Sequence, residues 1–379
     1  MFPVVTDPRC LDHAPAGVFP ERPDRLHGIV SHLEAQGWPV EHGASHPRSR
    51  EAVLAVHDRR YVERFERAVA RGDMIFDSAD NPLSPGTAEA SWAAVDAVLT
   101  AADRIASGEA AKAFAAVRPP GHHAERARAM GFCYFGNVAV AAQHLLDRHG
   151  LERVAIFDFD VHHGNGTQHL FEERPDVFYA STHQFPFYPG TGAADETGVG
   201  AGEGATLNVP LPAGTGDDGY ERAIRERVLP ALSRFGAELL ILSAGFDAWQ
   251  WDPLGGMQVS EQGFRDWGRW CAELADRVCG GRVLVALEGG YDLAALPALV
   301  AAHLEGLDGV LVEGRHEDGR DPGPDQLQHV EAARAHPFKP GAGNDAEFAW
   351  LVVQPRLNGG IAFCAQGQAK QWVHVASPR

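Results

Sequence analysis

Short apolar, β-branched runs alternate along the chain with longer segments in which apolar residues recur every three or four positions. The short runs predict buried strands and the longer segments predict helices. The predicted strands are 113–117, 153–158, 177–181, 205–209, 238–243 and 282–287. The predicted helices are 87–106, 137–149, 219–234, 261–278 and 292–307. This alternation is typical of a central, mostly parallel sheet with helices on both faces, so the sequence predicts an α/β fold.

Polar and glycine-rich segments follow five of these strands. They are RPPGHHAERARAMGFCYFGN, DVHHGNGTQ, THQFPFYPGTGAADETG, GFDAWQWDPLGG and EGGYD. Ligands of open parallel sheets bind beyond the carboxyl ends of the strands. The five segments are therefore predicted to meet at one site.

Composition narrows the classes of partner. The chain has 33 Lys and Arg against 51 Asp and Glu, a formal net charge of −18. This charge repels phosphate backbones, so we expect no nucleic-acid ligand, whereas cationic substrates are compatible with it. The five cysteines form no C-x-x-C pair, which is typical of free thiols in a reducing compartment. With no signal peptide and no long apolar span, we expect a cytoplasmic protein without a membrane association.

The strongest candidate for a metal site follows the strand 153–158. Strand alternation would put Asp158, Asp160 and His162 on one side, where carboxylate and imidazole suit zinc, iron or cobalt. A catalytic zinc usually has three protein ligands, and Asp247 after the strand 238–243 is the best third candidate. Taken singly, D-x-H could be a solvated loop, and Asp247 could be a turn or helix-cap aspartate. Their gathering at neighbouring strand ends favours a metal site.

Two further motifs could carry proton transfer and oxyanion binding. His122 and His123 follow a rigid Arg-Pro-Pro-Gly turn, and adjacent imidazoles can supply both a base and an acid near neutral pH. Tyr291 follows paired glycines and could donate its hydroxyl to an oxyanion. The alternatives are surface histidines and a half-buried packing tyrosine.

Taken together, the motifs resemble the zinc-dependent histone deacetylase superfamily, especially its class II and bacterial members, which include acetylpolyamine amidohydrolases. The matching strings, in chain order, are RPPGHHA, GFCYFGN, DFDVHHGNGTQ, FYPGTG, SAGFD, DPLGG and EGGYDL, and ERPDR and VHDRRYV near the N-terminus also fit. The resemblance covers roughly residues 1–312, with weaker support to about residue 340. It implies an arginase/deacetylase-like three-layer fold, with a catalytic domain at 1–340 and a C-terminal tail of unknown role at 341–379.

The resemblance also implies roles for individual residues. Zinc would be bound by Asp160, His162 and Asp247. The catalytic residues would be His122, oriented by Asp158, His123, oriented by Asn165, and Tyr291. The substrate would contact Gly131, Phe132, Tyr188 and Leu254. A potassium ion beside the zinc would be surrounded by Asp158, Asp160, His162 and Ser181.

The function so implied is hydrolysis of acetyl-amide bonds by a metal-activated water, on acyl-lysine or a related N-acetylated amine. Polyamine-specific class II relatives carry a glutamate where this chain has Leu254, which favours acyl-lysine, with an acetylpolyamine amidohydrolase as the alternative. A binuclear manganese ureohydrolase would need a D-x-D where Asp247 is followed by Ala248 and Trp249. A non-catalytic acyl-lysine-binding module should have lost a metal ligand, a histidine of the pair or Tyr291, whereas all of these are present in this chain. The oligomeric state stays open, with a homo-oligomer among the options.

Overall fold

The computed structural model describes residues 1–309 and two short strands, Gln354–Pro355 and Ile361–Ala362, which pair antiparallel with each other. Apart from those two strands, the predicted tail at 341–379 and its boundary at residue 340 lie outside the described residues.

Eight parallel strands form one sheet in the first 309 residues. They are β1 (Val4–Thr6), β2 (Val40–His42), β5 (Lys112–Ala115), β6 (Val154–Asp158), β7 (Val177–Gln184), β8 (Thr206–Leu211), β9 (Leu239–Ala244) and β10 (Val283–Leu287). Their order across the sheet is β2-β1-β5-β10-β9-β6-β7-β8. A separate antiparallel pair consists of β3 (Ile75–Phe76) and β4 (Ser78–Pro82). All six predicted strands exist, each with bounds shifted by a few residues at most.

Ten α-helices accompany the sheet in the same part of the chain. They are α1 (Pro23–Ala35), α2 (Ser49–Val56), α3 (Arg59–Arg71), α4 (Thr87–Ala106), α5 (Asn137–His149), α6 (Asn165–Phe171), α7 (Asp217–Ala223), α8 (Leu229–Phe235), α9 (Glu261–Val278) and α10 (Leu296–Asp308). The central strands β6, β9 and β10 are buried along their whole length, because helices cover both faces of the sheet. The predicted α/β fold, with a central parallel sheet and helices on both faces, is confirmed. No helix of the described residues has the length and apolar character needed to cross a bilayer.

Two predicted helices differ from the structure for local reasons. The segment 219–234 is divided into α7, a π-helical turn at Ile224–Val228, and α8. Pro230 has no N–H to continue the α-helical ladder, which accounts for the interruption before it. The helix predicted from residue 292 begins only at Leu296, because the Asp292 side chain accepts hydrogen bonds from the backbone N–H groups of Ala294 and Ala295 in a preceding turn.

The register of the central strands brings three polar chain segments together. Asp158 at the end of β6 is paired with Ser243 in β9, and Ala244 is paired with Leu287 at the end of β10. The loops after these strands carry Asp160 and Asp247 and lead to Tyr291. Three segments that are far apart in sequence therefore share one edge of the sheet.

Candidate active site

Asp160, His162 and Asp247 form a buried cluster beyond the carboxyl ends of β6 and β9. One ligand atom from each lies within 4.8 Å of the others. The Nδ1 atom of His162 is 3.0 Å from Oδ1 of Asp160 and 3.2 Å from Oδ2 of Asp247. Two carboxylates and one imidazole are a donor set that zinc accepts, and three protein ligands leave a position open.

Several features of the cluster fit a divalent cation. Backbone N–H groups hold the outer oxygens: Val161 donates to Oδ1 of Asp247 and Gly289 to Oδ2 of Asp160, both at 2.8 Å. Oδ2 of Asp247 is buried and, among the described residues, accepts no hydrogen bond of acceptable geometry, although Nδ1 of His162 lies 3.2 Å away. A cation between these two atoms would relieve this costly arrangement. Burial and the neighbouring Asp160 carboxylate raise the pKa of Asp247 above its ordinary value. A side chain at Gly289 would collide with both carboxylates, so glycine keeps this space open.

The geometry of the loop after β6 differs from simple strand alternation. The strand ends at Asp158, so Asp160 and His162 lie in the following loop. The backbone N–H of Asp160 donates to Oδ1 of Asp158 (3.2 Å), and that of His162 donates to Oδ1 of Asp160 (2.9 Å). These bonds curl the loop toward Asp247, whereas Asp158 faces His122. Strand alternation therefore applies only as far as Asp158, and the loop beyond it brings Asp160 and His162 together with Asp247.

His122 and His123 lie side by side, with ring centroids 4.0 Å apart, and each has its own partner. Nδ1 of His122 is 3.0 Å from Oδ2 of Asp158, and Nδ1 of His123 is 2.8 Å from Oδ1 of Asn165. The amide nitrogen of Asn165 donates to Glu125 Oε1 (2.5 Å), which fixes the amide orientation. Because the Asn165 oxygen can only accept, Nδ1 of His123 carries its proton and Nε2 is left as an acceptor.

The surroundings drive the pKa values of the two histidines apart. Burial disfavours the charged form of His122, but the carboxylates of Asp160 and Asp158 outweigh it and raise the pKa of His122 to about 10. Burial, together with positive charge on His122 and His162, holds the pKa of His123 well below its ordinary value. A cation bound by Asp160 would reduce the upward shift of the His122 pKa, because it would offset the charge of that carboxylate. Paired groups with divergent pKa values are typical of acid–base sites.

Tyr291 is buried, and its ring lies between a cation and an aromatic ring. The Arg25 guanidinium lies 4.8 Å from the Tyr291 ring centroid, and the Phe132 ring is 6.0 Å away in an edge-on orientation. The Tyr291 backbone N–H donates to Oδ2 of Asp252 at 2.6 Å, and the Leu254 N–H donates to Oδ1 of the same carboxylate at 2.8 Å. Burial holds the pKa of Tyr291 well above its ordinary value, so its hydroxyl keeps the proton. Asp252 thereby ties Leu254 to the Tyr291 loop.

The residues predicted to contact substrate lie around the histidine pair. The Tyr188 ring meets the His123 ring edge-on at 5.1 Å, and the Tyr188 hydroxyl donates to Oδ2 of Asp80 at 2.9 Å. Asp80 Oδ2 also accepts the Gly131 N–H at 2.9 Å. Asp80 therefore links the loops that carry Gly131 and Tyr188. Asp80 was not predicted, because its segment shows no metal or catalytic motif.

Phe187 and Ser181 complete the surroundings of the cluster. The Phe187 ring stacks on the His162 ring, with centroids 5.3 Å apart and planes inclined by 16°. From this segment only Tyr188 was predicted as a substrate contact, although Phe187 stands beside it in the motif FYPGTG. Ser181 lies beside Asp158 across β7 and β6, and its Oγ is 2.9 Å from His183 Nδ1. This placement is compatible with the predicted potassium site.

Glu288 and Arg25 position the catalytic loops without having been assigned a role from the sequence. Glu288 Oε2 accepts the backbone N–H groups of Gly121 (2.6 Å) and His122 (3.1 Å). Arg25 donates to the carbonyl oxygens of Glu288 (2.5 Å) and Gly290 (2.6 Å). These contacts join the His122 loop to the Tyr291 loop. The motifs ERPDR and EGGYD contained both residues, but spacing gave no sign that they meet.

A buried ion pair supports the start of the histidine loop. The Arg118 guanidinium donates to both carboxylate oxygens of Glu21, at 2.8 and 2.7 Å, and to the Cys10 carbonyl at 2.7 Å. Both side chains are at most 1% exposed. Arg25 lies 3.3 Å from the same carboxylate. Removing the carboxylate charge would leave two buried guanidinium groups without their counter-ion.

We expect Glu21→Gln to destabilise the protein by about 3–5 kcal/mol, the usual cost of breaking a buried ion pair from one side. Urea unfolding should show a lower midpoint with an unchanged slope. Glu221→Gln is a matched control, because Glu221 forms an exposed ion pair with Arg225. Its loss should lower the free energy of unfolding by at most about 1 kcal/mol. Equal midpoints for the two variants would contradict this account.

Comparison with known proteins agrees with the architecture and the motifs. Residues 19–307 match the family model described as "Histone deacetylase domain". The chain is 41% identical over 311 residues to "Histone deacetylase-like amidohydrolase" of Pseudomonas aeruginosa, covering 81% of this chain and 80% of that protein. It is 41% identical over 300 residues to "Histone deacetylase 10, chloroplastic" of Oryza sativa, covering 74% and 68%. A crystal structure of acetylpolyamine aminohydrolase from Burkholderia pseudomallei superposes with a TM-score of 0.73 at 31% identity, covering 81% and 98%.

Proposed function

This chain belongs to the histone deacetylase family, and from that premise we propose that it hydrolyses acetyl-amide bonds with zinc held by Asp160, His162 and Asp247. The observation that carries the proposal is the buried cluster of Asp160, His162 and Asp247, in which Oδ2 of Asp247 accepts no hydrogen bond of acceptable geometry and lies 3.2 Å from Nδ1 of His162. When bound, zinc would supply a Lewis acid that polarises the acyl carbonyl and brings the pKa of water from 15.7 to about 7.

The histidine pair would move the protons. His123 has a free Nε2 acceptor and a low pKa, so it would take the proton from the attacking water. His122, held by Asp158, would stabilise negative charge that develops beside it. The imidazolium formed on His123 would then protonate the departing amine. Asn165 would keep His123 in the required tautomer throughout.

Tyr291 would donate its hydroxyl to the oxyanion. Its high pKa keeps the donor proton in place, and the Arg25 guanidinium beside the ring holds the side chain without bonding to the hydroxyl itself. Phe132, with its ring at 6.0 Å from Tyr291, and Tyr188 would form the walls for the acyl chain. Gly131 and Leu254 would complete the substrate contacts, and a potassium ion near Asp158 and Ser181 is part of the same proposal.

The proposed substrate is an acyl-lysine side chain or a related neutral amide, with acetylpolyamine as the second candidate. Leu254 lies in the loop that Asp252 ties to Tyr291, and an apolar residue there offers no counter-charge to a polyamine. The fold neighbour named as an acetylpolyamine aminohydrolase keeps the second candidate open. A cytoplasmic location and a homo-oligomeric state stay predictions.

Metal removal tests the proposal directly. Treatment of the full chain with a chelator should lower kcat/KM on an acetyl-lysine peptide by more than about 100-fold, because Lewis-acid activation contributes several kcal/mol. Zinc should restore the activity. Calcium, which prefers six or more oxygen ligands, should not. Undiminished turnover by metal-stripped protein, verified by elemental analysis, would refute metal dependence.

The same assay separates the substrate classes when acetylputrescine and acetylspermidine are run beside the peptide. A higher kcat/KM on the peptide would support acyl-lysine, and the reverse order would support the polyamine reading. A binuclear ureohydrolase is disfavoured, because Trp249 stands where a second bridging carboxylate would be and its indole N–H donates to Asp292 at 3.1 Å. Zinc binding without turnover of any of these amides would favour a non-catalytic binding module.

A further inference from the structure

A second cluster of metal-ligand side chains lies outside the candidate active site. Asp103 near the end of α4 is surrounded by His46, from the loop before α2, and by His144 and His149 at the end of α5. Within the described residues, His46, Asp103 and His144 form one of two groups whose ligand atoms lie within 4.8 Å of one another, and the candidate active site is the other.

Three imidazole nitrogens converge on the one carboxylate. The Nε2 atoms of His144 and His149 are 2.6 and 2.8 Å from Oδ1 of Asp103, and Nε2 of His46 is 2.9 Å from Oδ2. The rings are steeply inclined to one another, at 88° for His46 and His144 and 72° for His144 and His149. Edge-on rings whose Nε2 atoms point inward are the arrangement needed to surround a cation.

We propose that His46, Asp103, His144 and His149 form a second divalent-metal site, selective for zinc or another late first-row ion. Three imidazoles and one carboxylate are suited to such ions and not to magnesium or calcium. Four protein ligands would close a tetrahedral shell, which is characteristic of a structural site and not of a catalytic one.

Metal binding requires these side chains to shift. Zinc bonds of 2.0–2.1 Å place tetrahedral ligand atoms about 3.3 Å apart, so the three nitrogen–oxygen separations of 2.6–2.9 Å must widen by a few tenths of an ångström. His149 must also move toward the other histidines, because the ligand atoms that already lie within 4.8 Å of one another are those of His46, Asp103 and His144. His149 ends a helix and His46 lies in a loop, so both can give way. Binding through Nε2 would leave a proton on Nδ1 of His46, facing the Arg48 N–H that now contacts it at 3.3 Å. That bond is long, and Arg48 is an exposed residue, so the bond can be given up.

The site is accessible. The Asp103 side chain is 39% exposed and that of His149 is 26% exposed, which provides an entry path. An occupied site would cross-link α4, α5 and the loop before α2, so its expected role is to stabilise this side of the fold.

Zinc titration of metal-stripped full-length chain tests the proposal, with the double variant H46Q/H149Q as the probe. Glutamine can keep an N–H donor toward Asp103 but lacks the imidazole ligand, so the fold is preserved. We expect the variant to bind one equivalent less zinc than the unmodified chain while retaining its turnover per active-site zinc. H27Q/H32Q on α1 is the matched control for histidine removal and should bind as much zinc as the unmodified chain.

The Asp247→Asn variant keeps the two sites distinguishable. In that variant, zinc binding at the candidate active site is weakened. The difference of one equivalent of bound zinc between proteins with and without H46Q/H149Q should persist. Zinc should raise the melting temperature of Asp247→Asn more than that of the combined variant. Cobalt added to Asp247→Asn should give the visible absorption of a tetrahedral site, and lose it with H46Q/H149Q. Equal zinc stoichiometry with and without H46Q/H149Q would overturn the proposal and leave only a hydrogen-bonded cluster, whatever the fate of the deacylase assignment.

Discussion

Asp247→Asn should fold normally yet lose active-site zinc and amide hydrolysis together. The substitution keeps an oxygen that can accept the Val161 N–H, now 2.8 Å from Oδ1, but removes the negative charge from the buried Oδ2. Loss of an outer-shell partner already costs 10–100-fold in metal affinity, so loss of a charged ligand should cost more than about 100-fold. Metal-competition titration and the acetyl-lysine assay measure the two effects.

The stability of the metal-free form provides a second readout. Asp247 and Asp160 are like charges in a buried site, so neutralising one should leave the metal-free protein at least as stable as before. The zinc-dependent increase in melting temperature that comes from the active site should disappear. Asp266→Ala on α9 is the control, since Asp266 pairs with Arg269 at the surface. Asp247→Asn protein with normal zinc affinity and turnover would exclude Asp247 as a ligand.

The sequence allowed the fold to be predicted where patterns are strong. The strands β6, β9 and β10 are buried on both faces and appear as continuous apolar runs, which is why they were found. The three-residue strands β1 and β2 and the helices α1–α3 were not predicted. A run such as Val4–Thr6 is too short to show a period, and its pairing with β5 joins residues more than a hundred positions apart.

The candidate site was predictable in part because its polar residues follow these strands. Asp160, His162, Asp247 and the histidine pair stand directly after strands or in glycine-rich motifs. Their supporting contacts were not predictable. Examples are the contact of Glu21 with Arg118 and the contacts of Asp80 with Gly131 and Tyr188. These residues come from distant segments, and no local pattern indicates which buried polar groups will lie together. The cluster around Asp103 was missed for the same reason, since its residues come from α4, α5 and the loop before α2.

Tyr291→Phe should reduce kcat by about 10²–10³, the typical cost of removing one oxyanion donor. The ring stays in place because its neighbours, the Arg25 guanidinium at 4.8 Å and the Phe132 ring at 6.0 Å, contact the aromatic face and edge. We therefore expect unchanged zinc content, unchanged unfolding and a KM within a few-fold of the original. Steady-state kinetics and elemental analysis on the same preparation measure these quantities.

Tyr220→Phe provides a matched control within the same core. Tyr220 is also fully buried, but its hydroxyl has no hydrogen-bond partner among the described residues, and its ring packs on Trp267 at 4.8 Å. Removing that hydroxyl should leave kcat unchanged. A fall in kcat in Tyr291→Phe but not in Tyr220→Phe would therefore identify the Tyr291 hydroxyl as the group that acts in turnover. It would also show that removing a buried tyrosine hydroxyl does not in itself lower kcat. Full kcat in Tyr291→Phe with normal zinc would remove this hydroxyl from the proposed mechanism and leave oxyanion stabilisation to the metal and the histidine pair.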